Sequence, residues 1–304
     1  MDGRTTTETP SLSPLSRSAA TQTLPEPTFQ AVQTLESYRS SCPDLVTRED
    51  VSTSGDWISI VCEYSLDDGS YIALYVHHPA SQIEWKIAYR QGSFPWNSEE
   101  HSSETGLKPI RWSTGEEYLY FSLYSRGDGP RGYFQSGESL QRLDLRTGNV
   151  SQVLSASPVP GHFYTFDFSP TGRQLAYTIS KSPYTIYLVD MVFGDEMTIS
   201  VEGDWSILGR FNWSPDGQWL AFVTGTFSDF HDGMYSLGVI SPDTLNYQMI
   251  LTDIVSPLVN NRWEAGKLVS SWEERGQTTN ELIEHTLWFD PLTGETTSTE
   301  TPKQ

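Results

Sequence analysis

Phe211-Asn212-Trp213-Ser214-Pro215-Asp216-Gly217-Gln218-Trp219-Leu220-Ala221-Phe222-Val223 reads as strand, tight turn, strand. Pro215 fixes φ, Asp216 caps the turn through its side chain, and Gly217 takes the φ > 0 position. The apolar run from Trp219 to Val223 suits a buried strand. One such hairpin says little; its recurrence along the chain decides the fold.

Aligning the chain on the turn glycine gives five units, at Gly69, Gly115, Gly172, Gly217 and Gly266, with spacings of 46, 57, 45 and 49 residues. The stretches are Tyr64–Tyr75, Trp112–Phe121, Phe168–Tyr177, the opening hairpin, and Trp263–Ser270. Units two to five each add a second hairpin, such as Ile186-Tyr187-Leu188-Val189-Asp190 followed by a turn at Phe193-Gly194-Asp195. In unit one the second hairpin is weaker, with a strand expected at Ile83–Tyr89 and a turn at Arg90-Gln91-Gly92. Four strands per unit and a period in the forties predict the blades of an all-β propeller. Five blades are recognisable, and residues 29–54 are expected to close the ring or to form a degenerate sixth. The predicted organisation is a disordered Thr/Ser/Pro-rich tail over 1–28, the closing segment over 29–54 and the propeller over 55–304. Phe29, Val32, Leu35 and Tyr38 fall at a spacing that fits a short amphipathic helix, or equally an extended strand.

The pattern aromatic-Ser-Pro-Asp-Gly-x-x-Leu-Ala-Phe, followed by Ile-Tyr-x-x-Asp and a Gly turn, resembles the TolB-like, WD-repeat-like β-propeller family. Asn212–Val223 and Asp167–Thr178 match closely; the other units lack the turn proline. The resemblance implies a propeller that binds other molecules. Such blades also accompany hydrolase domains, but no Gly-x-Ser-x-Gly elbow occurs in this sequence.

Composition narrows the partners. The net charge is −20, from 39 acidic and 19 basic residues among 304. An acidic surface repels phosphate backbones, so no nucleic acid is expected. No run of 18 apolar residues exists, so no membrane span is expected. The expectation is a monomer that binds a protein or peptide, with no cofactor and no metal. Met1–Gln30 holds no apolar signal core, yet Ser/Thr/Pro tracts often tether folded domains outside the cell. An extracytoplasmic location is therefore the expectation, which an oxidised pair of cysteines would suit. Cys42 and Cys62 are the only cysteines, and either a disulfide or two buried thiols fits the sequence.

The turns between first and second strands mark one face of the disc. The longest insertions fall on the other: Ser122–Ser139, Thr224–Tyr235 and Ser271–Glu284. Binding residues concentrate on loops held by a rigid scaffold. The first insertion presents Arg126, Asp128, Arg131 and Tyr133, including an Arg-Gly-Asp tripeptide, in a Gly-rich loop suited to ligand contact. The second places Asp229, His231 and Asp232 within four residues, a set that suits turn caps or a divalent ion. Trp272-Glu273-Glu274-Arg275 reads as a strand end with solvated charges. A further pattern crosses the units: the residue before each anchoring aromatic is polar, at Glu63, Arg111, Asp167, Asn212 and Arg262. These positions are expected to ring the central channel, either as a blade-to-blade network or as a ligand site. The alternative function is a carbohydrate-active hydrolase or lyase with acidic residues at that channel.

Overall fold

In the computed structural model, described over residues 46–66, 69–90, 105–125, 136–137, 139–155, 164–179, 184–227, 233–255, 260–275 and 281–303, every element is a β-strand. Twenty strands form five four-stranded antiparallel sheets, each built from consecutive strands. Blade one holds β1 (Val46–Val51), β2 (Ile58–Leu66), β3 (Gly69–His78) and β4 (Ile83–Arg90). Blade two holds β5 (Thr105–Trp112), β6 (Tyr118–Ser125), β7 (Leu140–Asp144) and β8 (Val150–Leu154). Blade three holds β9 (Tyr164–Phe168), β10 (Gln174–Ile179), β11 (Thr185–Asp190) and β12 (Glu196–Ser200). Blade four holds β13 (Ile207–Trp213), β14 (Leu220–Phe227), β15 (Gly233–Ser241) and β16 (Asn246–Ile254). Blade five holds β17 (Asn260–Glu264), β18 (Lys267–Arg275), β19 (Leu282–Phe289) and β20 (Thr296–Lys303). The architecture is an all-β propeller of four-stranded blades.

The first strands of neighbouring blades adjoin, β9 against β13 and β13 against β17. The fourth strands lie outermost, and β20 is exposed along its whole length. The core is a series of junctions. One cluster joins blades one and two around Leu74, Val76, Trp112 and Phe121. A second joins blades two and three around Tyr120, Phe168 and Leu175. A third joins blades three and four around Leu188, Trp213 and Phe222, and a fourth joins blades four and five around Val223, Leu237 and Phe289. The fifth cluster, Ile60, Cys62, Ala73 and Tyr75, is drawn from blade one alone.

The opening hairpin works as read, but through serine more than through proline. Ser214 N donates to Trp219 O at 2.8 Å, Trp219 N donates to Ser214 Oγ at 2.9 Å, and Gly217, at φ +73°, donates its N–H to Ser214 O. Blade three repeats the set with Ser169, Gln174 and Gly172. Blade two repeats it with Ser113 and Tyr118, where Glu116 takes the left-handed position at φ +51°. Blade five differs: Ala265 and Gly266 both have φ > 0 and close a two-residue hairpin between Glu264 and Lys267, as a type I′ turn requires.

Blade one corrects the sequence alignment. Its serine-capped turn is Ser52-Thr53-Ser54-Gly55-Asp56-Trp57, where Trp57 N donates to Ser52 Oγ at 3.1 Å and Gly55 has φ +82°. Gly69 instead opens β3, so the aligned unit was displaced by one strand. The expected third strand at Ile83–Tyr89 is accordingly the fourth. The cause is chemical: Asp67-Asp68-Gly69 has turn composition, while Ser52–Trp57 lacks the Pro-Asp-Gly signature yet makes the same bonds. The alignment glycines are therefore Gly55, Gly115, Gly172, Gly217 and Gly266. Part of the expected closing segment, Val46–Val51, is the first strand of blade one and pairs with β2. Residues 1–45 lie outside the described residues.

Candidate functional site

The polar positions of the first strands form a blade-to-blade network. Register shifts at Pro109/Arg111 in β5 and at Gly209/Asn212 in β13 fall just before two of them. A bulge re-aims the side chain that follows it. Arg111 reaches into blade three, where its Nη1 donates to Ser169 O at 2.7 Å and its Nη2 to Pro170 O. Thr114 Oγ1 adds a bond to Thr171 O at 2.6 Å. Asn212 Nδ2 donates to Asn261 O in blade five. The anchoring tryptophans answer in the other direction, with Trp213 Nε1 donating to Asp167 O at 3.3 Å and Trp263 Nε1 to Asn212 O at 3.1 Å.

Asp167 sits within this network, its Oδ1 accepting from Phe168 N at 2.9 Å. Burial pushes its carboxyl up to about 6, against the opposing pull of the Phe168 N–H and the Arg111 charge. Arg262 is different: it pairs with Glu264 on its own strand at 2.5 Å, and both side chains are half-exposed. Glu63 does not belong to the set, because the corrected frame puts it on β2; Asp50, one residue before Val51 and Ser52, takes its place. Around the first strands the residues therefore run Asp50, Arg111, Asp167, Asn212, Arg262, so Arg111 stands between two acids in blade order.

The loop face is narrower than the sequence suggested. Ser122–Ser125 continue β6, Thr224–Phe227 continue β14, and Ser271–Arg275 continue β18, each run still paired across its ladder. The insertions shrink to 126–138, 228–232 and 276–281. Phe227 pairs with Gly233, and Arg275 with Leu282, so two of the three loops spring from closed strand stems.

The first loop is held at its far root. Ser136 N and Gly137 N both donate to Tyr164 O, at 2.9 and 3.2 Å, and Tyr164 N donates to Gly137 O at 2.7 Å. Phe166 N donates to Ser136 Oγ at 3.0 Å. The root of blade two's loop is thus fastened to β9, the first strand of blade three. Gly137 is required there: a Cβ would lie 1.8 Å from Ser122 Oγ, and that hydroxyl is itself bonded to Ser139 O. Arg126, Asp128, Arg131 and Tyr133 of this loop, and Asp229, His231 and Asp232 of the second, lie outside the described residues.

A group that the sequence reading missed stands at the loop end of blade five. Trp272 is buried and stacks on His285, with ring centres 5.0 Å apart and planes 7° apart. His285 Nε2 lies 3.5 Å from Glu274 Oε2, and its Nδ1 lies 3.6 Å from Glu300 Oε1. Both carboxylates remain largely in solvent, at 50% and 71% side-chain exposure, so they can accept bonds from a cationic group outside. On the opposite side of the blade Lys303 holds Glu273 and Glu284. The available signal was Trp272-x-Glu274, which in a strand points both side chains to one face. Locating His285 and Glu300 opposite them required the strand register. Among the described residues no group of three or more His, Cys, Asp or Glu is arranged to hold a metal ion, and no helix is long and apolar enough to cross a membrane.

No family model matches the chain, and no curated protein matches it. Solved structures with a similar course include TolB from Acinetobacter baumannii, 13% identical over 86% of this chain and 55% of that one, with a TM-score of 0.43. Hydrazine synthase of Kuenenia stuttgartiensis is 12% identical over 84% of this chain and 65% of that one, also at 0.43. A protein described as a 6-phosphogluconolactonase from Bacteroides fragilis NCTC 9343 is 11% identical over 84% of each chain, at 0.41. The chain thus spans 55% and 65% of the first two of these proteins.

Proposed function

We propose that the protein is a non-catalytic propeller of the TolB-like kind that binds a protein or peptide through its loop face. The observation that carries this reading is the fastening of Ser136–Gly137, between the second and third strands of blade two, onto β9 of blade three. A loop held at a rigid root loses less entropy on binding than a free one. The exposed carboxylates of Glu274 and Glu300 on the same face, and the net charge of −20, favour a partner with basic groups. Cys62 is in a disulfide, which suits an oxidising compartment and an extracytoplasmic role.

The catalytic alternative draws its support from Asp167, whose raised carboxyl fits a proton donor. Glycoside cleavage also needs a second carboxylate on the other side of one sugar bond. Arg111, which faces the Asp167 charge, is already committed to two carbonyls. The deciding experiment replaces residues 126–133 by a Gly/Ser linker of equal length and measures partner recovery from extracts of the source organism. Loss of the wild-type partner by tenfold or more is expected. Undiminished recovery, or polysaccharide cleavage that vanishes in Asp167→Asn, overturns the reading.

A further inference from the structure

The crossing from blade three to blade four carries a surface that the propeller itself does not use. Residues 201–206 run from the end of β12 to the start of β13, at the loop end of both blades. Their backbone is spent on the two neighbours. Val201 N donates to Tyr184 O at 2.7 Å, Glu202 N to the Tyr247 hydroxyl at 2.9 Å, and Ser206 N to Gly225 O at 2.8 Å. Glu202 O accepts from Trp205 Nε1 at 3.0 Å, and Asp204 O accepts from Thr226 Oγ1 at 3.1 Å. Gly203, at φ +139°, lies against the Trp205 ring, where a Cβ would come within 2.4 Å of it. The crossing is thus a fixed strap, and Trp205 packs onto the core between the two blades.

What the strap leaves in solvent is acidic. Glu202 and Asp204 are exposed, and neither carboxylate makes a hydrogen bond or an ion pair among the described residues. Apolar side chains stand on either side. Tyr184 lies opposite Val201, one step beyond the Thr185–Ser200 pair, so it shares a side of blade three with Ile186 and faces blade four; it is 45% exposed. Met234 is the ladder partner of Thr226, whose hydroxyl holds the strap, and it is 46% exposed. The junction beneath is already closed by Val201, Leu208 and Phe222, all at most 1% exposed. Packing of the propeller therefore accounts for neither the two exposed apolar side chains nor the two unneutralised carboxylates between them.

We infer that this strap docks a basic amphipathic helix of a partner protein, with the helix's apolar side chains on Tyr184 and Met234 and its lysines or arginines on Glu202 and Asp204. Charge complementarity selects the partner. Carboxylates without a cation attract one, and a chain of net charge −20 repels acidic segments and copies of itself. The backbone selects the form. Strand addition needs main-chain groups to pair with. The strap has committed three N–H groups and two carbonyls to its own propeller, so recognition falls to side chains, as in helix docking. A surface held before binding loses little entropy when it binds. The inference goes beyond the blade-two loop: it concerns another junction of the same face and holds without that loop.

The test is fluorescence anisotropy of the full chain with a labelled peptide of about three helical turns that carries Lys and Leu at helical periodicity. The wild-type protein is expected to bind it, and more weakly as salt rises. Glu202→Gln/Asp204→Asn is expected to weaken binding at least tenfold and to flatten the salt dependence. Met234→Ser is expected to weaken it at least threefold. Asp56→Asn/Asp243→Asn removes the same charge from exposed acids of the turn face and is expected to change affinity less than twofold. A peptide with Ser in place of Leu is expected to bind at least tenfold more weakly than the Lys/Leu peptide. Replacing residues 126–133 by a Gly/Ser linker is expected to leave peptide binding intact, which separates failure here from failure of the loop reading. No binding by the wild-type protein overturns the inference, as does unchanged affinity in Glu202→Gln/Asp204→Asn. Equal losses in the turn-face pair, or equal binding of the Ser peptide, also overturn it, because either would reduce the attraction to net charge alone.

Discussion

The first hairpins of blade four and blade one share one hydrogen-bond pattern and differ in everything behind it. In both, a serine hydroxyl accepts the N–H five residues on, and a glycine takes the left-handed position. Ahead of the serine, however, blade four has Trp213, 5% exposed and bonded to Asp167 O of the preceding blade. Blade one has Val51 at the same place, 48% exposed. The turn is a local device that needs only its own six residues. The anchor is a tertiary device that needs a neighbour on the correct side.

That contrast sets the scale of several expected outcomes. Trp213→Ala empties a site between blades three and four, and a loss of about 3–5 kcal/mol in urea unfolding is expected. Val51→Ala is expected to cost about 0.5 kcal/mol or less. Comparable losses at the two positions would mean that the anchors are equivalent after all. Ser214→Ala strands a part-buried backbone N–H and Ser52→Ala a buried one, so each is expected to cost about 1–2 kcal/mol. Ser52→Ala also removes one of the three bonds by which Ser52 and Ser54 hold the Glu116 carboxylate of blade two, and so belongs at the upper end. Gly217→Ala and Gly55→Ala are expected to cost about 1 kcal/mol each, a purely conformational penalty. A Cβ meets nothing closer than 3.7 Å at the first and nothing within 4 Å at the second.

A further effect is electrostatic. The Asp167 carboxyl is held above its ordinary value of 3.8, at about 6, so the folded protein binds more protons than the unfolded chain between those two values. Stability is then greatest below pH 3.8 as far as this group is concerned, and its contribution is lost as pH rises through about 6. The full shift corresponds to about 3 kcal/mol, and partial solvation reduces this to about 1–2 kcal/mol. Asp167→Asn keeps an acceptor for Phe168 N and removes the titration. It is expected to flatten the pH dependence across this window and to exceed wild-type stability at pH 7. An unaltered slope between pH 4 and 6 would show that Asp167 is not the titrating group.

The parts of the molecule that sequence made legible are those whose chemistry is local. Ser214-Pro215-Asp216-Gly217 and Ser169-Pro170-Thr171-Gly172 announce their turns, and alternation in the flanking runs announces the strands. Ser52–Trp57 escaped notice because a serine hydroxyl and one glycine suffice for the turn, without proline to mark it. Glu63 was assigned to the inner ring through that one-strand slip, and Asp50 replaces it. Arg111 and Asn212 were recognisable as polar residues in an apolar strand. Their partners were not, because bulges and the placement of the next blade decide where they reach. The Trp272–His285 stack with Glu274 and Glu300 is assembled from three strands, and only the register brings those residues together.

On the proposed function, the turn face builds the propeller and the loop face binds the partner. A photo-crosslinking residue placed singly at Glu274 on the loop face and at Gln218 on the turn face tests this directly. Both positions are exposed, so neither substitution disturbs the core. The account predicts that the Glu274 position captures a discrete partner from extracts of the source organism and that the Gln218 position captures none. Capture of that partner from Gln218 alone would contradict it.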